Sequence, residues 1–467
     1  MTLARFRELA RTLPPDTLAV DDGARAWTYR ELDLRAEHLA RHLATRGGVA
    51  PVALLARPDA PALAALLGAL RAGRIIAPIE PRLPLLRQLD AGLALVDDDA
   101  LAARLRADGW DGDVATIDEL ERAPAPISAT PATTATHARA AATGDDAALV
   151  CSTSGPSGRP KGIVFTELSI AAGAAGYRDA LALAPGDRLA WLAPLPFGAS
   201  LTVAFGALLA GATLVPCDAA AGLGALAARL EAQRVTVLHL VPSLFRRLAA
   251  ALAHEARPLP ALRLVKLGGE ASFASDLALF ARAFPADARL VNGLGLTEAC
   301  GNVCYASFAA DARIDGPRLP VGRAALDTEL GLVDGDGRAV ADGETGRIVV
   351  AGPALAAGYW RDPDGSAAVW RALPGRRGRW LVTADLGRVD ADGRLEHLGR
   401  ADDVVKIRGQ AVATGEVEAV VRGLDGVSAA AVVALPHPSA PGESVLAAFV
   451  VATRPIERAT LARRCPR

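Results

Sequence analysis

Residues 151–162 read CSTSGPSGRPKG, following directly on the apolar run AALV at 147–150. Glycines at 155 and 158 let a backbone come close to an anion, and the hydroxyls of Ser152, Thr153, Ser154 and Ser157 can donate to phosphate oxygens. Lys161 adds a cation at the end of the loop. A Walker A loop places a glycine directly before its lysine and Ser or Thr directly after it. Here Pro160 and Gly162 occupy those places, which excludes a P-loop NTPase. The stretch is a phosphate-holding loop of some other chemistry, and the remainder of the chain must say which.

With 467 residues the chain exceeds one ordinary core, and its length predicts roughly two to four domains or subdomains. Hydrophobic residues at 51% and charged ones at 22% describe a globular enzyme-like chain. The net charge of −1 leaves no bulk attraction to nucleic acid or anionic membrane, so partners are chosen by sites. Five cysteines without CxxC pairing argue against a disulfide framework or structural zinc and predict a reducing cytoplasm. The start, MTLARFRELARTLPPD, has no uninterrupted apolar region and is not a signal peptide. Residues 191–217 carry no charge. However, prolines 194, 196 and 216 and the absence of a basic flank predict a buried strand, loop and helix, not a membrane span.

Thr28 followed by Glu31 starts an amphipathic helix over 28–46. Residues 60–81 read as a buried helix, a stop at Gly73 and a short strand, a βα rhythm that recurs and predicts parallel sheets covered by helices. The Ala, Pro and Thr of 123–143 predict a linker or long surface connection. Beyond about residue 320, short alternating segments and Asp-Gly turns predict a β-rich module. Only Lys161, Lys266 and Lys406 interrupt an otherwise all-arginine set of 51 basic residues. Each can mark a place for a compact ammonium; Lys266 reads equally well as having no special role.

The opening loop resembles the Ser/Thr/Gly-rich, Pro-Lys-Gly-ending signature of the adenylate-forming superfamily: acyl-CoA synthetases, nonribosomal peptide adenylation domains and luciferases. TYREL, LRAGRIIAPIEPRLP, VKLGGEAS, NGLGLTEA, GRIVVAGPALAAGYW, LVTADLG and GRADDVVKIRGQAVATGEVEAVV are similar to its further segments in its order, and the resemblance covers about residues 20–453. It implies an α/β fold: a large N-terminal domain of helix-covered β-sheets with a β-barrel-like module (1–401), then a small α+β C-terminal mobile domain (402–467). It implies ATP and Mg²⁺, activation of a carboxylic acid as its adenylate, and coenzyme A or phosphopantetheine as acceptor. By this resemblance Ser154, Gly155, Ser157, Gly158 and Lys161 hold the β- and γ-phosphates.

The residues themselves suit such a site. Thr297 is a hydroxyl for an α-phosphate and Glu298 a carboxylate for Mg²⁺, an ion that prefers oxygen ligands; the resemblance places both there. Asp385 can accept both ribose hydroxyls and Arg400 can reach the same sugar. By resemblance Gly268, Gly269 and Glu270 lie along the adenine, which Leu294 contacts where the family usually has an aromatic ring. Asp402 takes the hinge position, and 404–410 enters the site for thioester formation. Lys406 then acts in catalysis and Gly409 leaves room for a pantetheine arm in the thiol tunnel.

Substrate residues follow. In amino-acid-activating relatives a Phe-Asp pair supplies the carboxylate that holds the α-ammonium; here Phe197 is followed by Gly198. A buried ammonium without a counter-ion is costly, so an aryl or fatty acid is expected instead of an α-amino acid. Small residues at Ala199, Gly293 and Gly301 predict room for a bulky group, with Asn302 as a polar contact. Pro156 and Ala384 depart from the family pattern. The family normally continues some tens of residues further to a Gly-Lys closure, so the C-terminal domain reads as incomplete at Arg467. The resulting reading is a cytoplasmic ligase acting on a small carboxylic acid, with coenzyme A or a carrier protein as partner, no nucleic acid and no membrane span. The alternatives are a nucleotide or acyl-adenylate binding protein lacking the lysine, and a stand-alone amino-acid adenylation domain.

Overall fold

The computed structural model describes residues 2–46, 48, 50–124, 147–154, 160–255, 257–401, 404–407, 410–424, 426–436 and 444–453. Two helix-flanked sheets dominate. A seven-stranded sheet runs, edge to edge, through Gly358–Tyr359, Pro160–Thr166, Ala147–Ser154, Ile76–Pro78, Val52–Leu55, Leu93–Val96 and Asp113–Thr116. The opening stretch lies across its antiparallel hairpin, in which Ser152 pairs with Gly162 and Thr153 with Lys161. The edge strand Gly358–Tyr359 also pairs antiparallel, with Pro160–Thr166, and the remaining pairings are parallel.

The second sheet has nine strands in the order Arg323–Ala324, Gly301–Ala309, Arg289–Leu296, Leu264–Leu267, Val237–Leu240, Arg188–Trp191, Thr213–Pro216, Leu18–Asp21 and Ala26–Thr28. Chain order reverses at Arg188–Trp191: the next strand, Thr213–Pro216, lies on one side of it and the strand after that, Val237–Leu240, on the other. In parallel sheets such a reversal leaves a crevice beyond the carboxyl ends of the strands, where ligands bind.

The uncharged segment 191–217 is a strand end, a loop, the helix Gly198–Ala210 and the strand Thr213–Pro216. From Ser200 to Ala210 every residue of that helix is buried. At its C-terminal end Tyr29 Oη donates to Ala212 O at 2.7 Å, tying it to the helix Tyr29–Thr45. That second helix begins as expected: Thr28 Oγ1 accepts from Glu31 N, and Glu31 accepts from Thr28 N at 2.8 Å. Gly73 ends the helix Ala60–Arg71 with φ 69°. Most of the expected 123–143 connection falls outside the described residues. Among the described residues no helix is long and apolar enough to cross a membrane.

The β-rich module is a five-stranded antiparallel sheet: Glu329–Val333, Gly346–Ala351, Trp380–Val389 and Trp370–Arg371, with Leu395–Arg400 paired to Trp380–Val389. It joins the nine-stranded sheet at Gly322, whose carbonyl accepts from Leu395 N at 2.7 Å. The C-terminal portion places the helix Thr414–Arg422 beside the hairpin Val427–Pro436 and Ser444–Ala452. The Arg422 guanidinium stacks over the Phe273 ring at 4.7 Å, and Arg318 Nη2 donates to Gly415 O. The mixed α/β architecture with a small α+β end is therefore the one expected. Asp402 and Asp403 are outside the described residues, so the expected 401/402 boundary stays an expectation.

Candidate functional site

A cleft of about 1210 Å³ lies where the carboxyl ends of the nine-stranded sheet, the hairpin 147–166 and the five-stranded sheet converge. Its walls bring together Ser152, Lys161, Gly269, Glu270, Leu294, Thr297, Glu298, Tyr359, Asp385, His397 and Arg400. Residues nearly 250 apart in sequence thus share one space. Thr297 and Glu298 sit in a single 3-10 turn at the end of the strand Arg289–Leu296, followed by Cys300 in the left-handed region at φ 47°.

Three groups form a chain across the cleft floor. Lys161 Nζ lies 4.5 Å above the Tyr359 ring, a cation–π contact, and Tyr359 Oη donates to Glu298 Oε1 at 3.2 Å. Burial and the neighbouring Glu298 carboxylate hold the Tyr359 phenol well above its ordinary value, so it stays a donor. Opposite, Asp385 pairs with Arg400 in the strand ladder, and His397 Nε2 lies 3.0 Å from Asp385 Oδ1.

Glu270 has a structural engagement that the sequence did not reveal. Its carboxylate accepts from Ser243 N at 2.9 Å and from Ser243 Oγ at 2.7 Å. It thus caps the helix Pro242–His254, which has no side-chain cap of its own, and a negative charge suits that end of a helix.

A second cavity, about 520 Å³ and mainly apolar, opens off the cleft at the crevice of the nine-stranded sheet. Leu149, Phe165, Leu192, Phe205, Leu244 and Ala199 are among its walls. The two spaces share Phe197, Gly198, Gly269, Glu270, Gly295, Leu296 and Thr297. A Cβ on Gly198 would lie 3.6 Å from Thr297 Cγ2, so this junction is narrow but open. Gly301 and Asn302 also line the apolar cavity. Gly293 differs from the expectation of spare room. A Cβ there would meet Asn302 Nδ2 at 2.6 Å and Cys304 O at 2.7 Å, so its space is already filled by protein, and it faces the cleft.

Other expected site positions fall elsewhere. Gly155, Ser157 and Gly158, the hinge Asp402 and the tunnel residue Gly409 lie outside the described residues, as do the side chains of Ser154 and Lys406 on their strands.

The apolar cavity also holds what sequence reasoning left open at Lys266. Its side chain is fully buried, with Nζ 3.0 Å from His239 Nε2, while His239 Nδ1 lies 3.2 Å from Tyr177 Oη. An ammonium can only donate, so Nε2 accepts and the imidazole carries its proton on Nδ1. Burial pushes the Lys266 ammonium down to about 7, slightly opposed by the Cys304 thiol. Burial and the Lys266 charge hold His239 well below its ordinary value.

A depressed lysine lowers stability most below its folded value, because the unfolded chain keeps a proton that the folded one resists. That penalty is relieved as pH rises from 7 towards 10.5. Of the other groups around Lys266, His239 titrates at lower pH, and Cys304, pushed up to about 12, and Tyr177, also raised, are present in both proteins, so their contributions largely cancel in the comparison. Urea unfolding between pH 7 and 8.5 should therefore show wild-type stability rising relative to Lys266→Met, by at most ~1.4 kcal/mol per pH unit. A flat difference would show that Lys266 does not titrate there.

Tyr359, His397 and the pair Lys266–His239 are the site residues missed from sequence. Tyr359 stood within a recognised segment, GRIVVAGPALAAGYW, and the scarcity of lysine pointed weakly to Lys266. Nothing local distinguished His397 or His239.

The fold and site define an α/β protein in which a polar cleft and an apolar cavity meet at the sheet crevice. A family model described as AMP-binding enzyme matches residues 6–360, so the chain belongs to the AMP-binding enzyme family of the adenylate-forming superfamily, whose members activate carboxylic acids. The isonitrile lipopeptide synthase of Streptomyces coeruleorubidus is 35% identical over 434 residues, 89% of this chain and 28% of that protein. The chain spans 24% of the pyochelin synthetase of Pseudomonas aeruginosa, which it also matches. Among solved structures, Klebsiella oxytoca NpsA in complex with 3-hydroxyanthranilyl-AMSN has a TM-score of 0.82 at 23% identity, over 99% of this chain and 91% of that one. The anthranilate CoA ligase AuaEII in complex with anthranoyl-AMP has 0.80 at 24%, over 98% and 89%. At these identities the likeness is one of fold.

Proposed function

We propose that this chain joins a carboxylic acid without an α-amino group, aryl or fatty acyl, to AMP and then passes the acyl group to the thiol of coenzyme A or of a carrier protein's phosphopantetheine. The observation that carries the reading is the junction of the polar cleft with an apolar cavity at Gly198 and Thr297, with no side chain at Gly198 to hold an ammonium. The two structural neighbours named with anthraniloyl-type ligands share this fold and support an aryl acid.

In this reading the acid's carboxylate oxygen attacks the α-phosphorus at the junction, a P–O bond forms, and the bond to the β-phosphate oxygen breaks to release pyrophosphate. Thr297 donates to the α-phosphate, Lys161 offsets charge on the outer phosphates, and Asp385 with Arg400 holds the ribose. His397, bonded to one oxygen of Asp385, fixes that carboxylate's orientation and leaves its other oxygen to accept. Among the described residues no three His, Cys, Asp or Glu groups converge as a metal cage. Glu298, with one oxygen bonded to Tyr359 and the other turned to no partner among the described residues, fits the single-carboxylate, phosphate-shared manner in which Mg²⁺ is held. The ion would supply neutralisation of charge on the departing pyrophosphate.

ATP–pyrophosphate exchange across a panel of acids tests this: aryl and fatty acids give signal, and signal from α-amino acids alone sinks the reading in favour of a peptide-synthetase adenylation domain. For the second step, Lys406→Ala should lower thioester formation from preformed adenylate by at least ~10-fold while leaving exchange intact, as expected of a positioned cation. Normal thioester formation in that variant would refute the role of Lys406.

A further inference from the structure

Lys266 is a buried amine whose charged form meets no anion among the described residues. Its Nζ meets His239 Nε2, and none of its ion pairs involves a carboxylate among the described residues. It lines the apolar cavity but not the cleft, so the nucleotide phosphates are not its partner. An uncompensated ammonium in such a place costs several kcal/mol.

A second donor stands on the same wall. Asn302 Nδ2 is buried and has no hydrogen-bond partner among the described residues. Two adjoining glycines make room for these donors. A Cβ on Gly268 would lie 2.4 Å from Lys266 Nζ and 3.2 Å from Gly293 O, and one on Gly293 would lie 2.6 Å from Asn302 Nδ2. The missing side chains at Gly268 and Gly293 thus leave room for Lys266 Nζ and Asn302 Nδ2, both on residues that line a cavity that is otherwise apolar. His239 Nε2 takes one of the three Nζ donors; among the described residues nothing accepts from the others or from Asn302 Nδ2, and the charged form of the lysine calls for a negative acceptor.

We propose that the acid taken by this cavity carries a second carboxylate, remote from the reacting one, which accepts charge-assisted hydrogen bonds from Lys266 Nζ and a further bond from Asn302 Nδ2. The substrate class is then a dicarboxylic acid. The inference rests on the reading above that the cavity holds the acid to be adenylated. His239 is a positioning residue in it: by accepting from Nζ and donating to Tyr177 Oη, it holds the ammonium towards the cavity.

The test is ATP–pyrophosphate exchange by the full chain with pairs of acids matched in skeleton, one bearing a single carboxyl and the other two. A hydrogen bond to a charged group is worth about 1.5–3 kcal/mol, so the diacid of a fitting pair should show a KM roughly 10- to 100-fold lower than its monoacid. Lys266→Met should raise the diacid KM by a similar factor and shift the preference to the monoacid. Asn302→Ala should move the ratio the same way by less. Should Lys266→Met fail to fold, the wild-type ratio decides alone. Exchange with monoacids and no gain from the second carboxyl overturns the dicarboxylate proposal and leaves the proposed function standing. Exchange only with α-amino acids, or with no acid, overturns the proposed function itself.

Discussion

Replacing Glu298 by Gln lowers ATP–pyrophosphate exchange by about 10²- to 10³-fold, while binding of the acid in the absence of nucleotide is retained. The substitution keeps the shape of the side chain and an oxygen that can still accept from Tyr359 Oη, now at 3.2 Å from Glu298 Oε1. What it removes is the charge that would hold Mg²⁺ against the phosphates, and losing one preorganised contact to developing charge typically costs this much in rate. Tyr359→Phe, which keeps the carboxylate and the ring beneath Lys161, should cost far less. Unchanged Mg²⁺-dependent turnover in Glu298→Gln would show that the metal is held elsewhere.

Gly322→Ala should destabilise the folded chain by about 4 kcal/mol or more, measured by urea unfolding or seen as loss of folded protein. Gly322 adopts φ 95°, where a side chain is strained, and an added Cβ would sit 1.9 Å from Tyr305 O. The backbone cannot retreat, because Gly322 N donates to Leu395 O and Gly322 O accepts from Leu395 N. This crossing joins the nine-stranded sheet to the strand that carries His397 and Arg400, so relaxing it would also displace one wall of the cleft. Gly335, with nothing within 4 Å of its would-be Cβ, is the control: Gly335→Ala should change stability by less than about 0.5 kcal/mol.

The same contrast between local and distant causes separates what could be read in the chain from what could not. The capping box at Thr28 and Glu31 and the stop at Gly73 depend on neighbours within a few residues, and the helices they bound are where their spacing puts them. The uncharged run 191–217 was legible as buried because its prolines and glycines rule out a continuous helix. Thr297, Glu298, Asp385 and Arg400 were found through segments whose order matches a family, and they do share one cleft.

Less could be read where chemistry depends on side chains meeting across sheets. Gly293 looked like empty space in sequence, but Asn302, on the next strand, folds into it. Glu270 lines the cleft, and its segment gave no sign that its carboxylate also caps a helix whose first turn lies 27 residues earlier. Lys266 and His239 lie side by side because Leu264–Leu267 and Val237–Leu240 are parallel neighbours in register, His239 opposite Lys266.

By itself, then, the sequence determined the family, the alternation of strands and helices and the absence of an aspartate after Phe197, since each is written in residue types at short, fixed spacings. The tertiary structure alone decided which polar groups line the apolar cavity. A lysine becomes a cation in need of an anion only when three neighbouring strands bury it, and sheet order, not sequence distance, sets who its neighbours are.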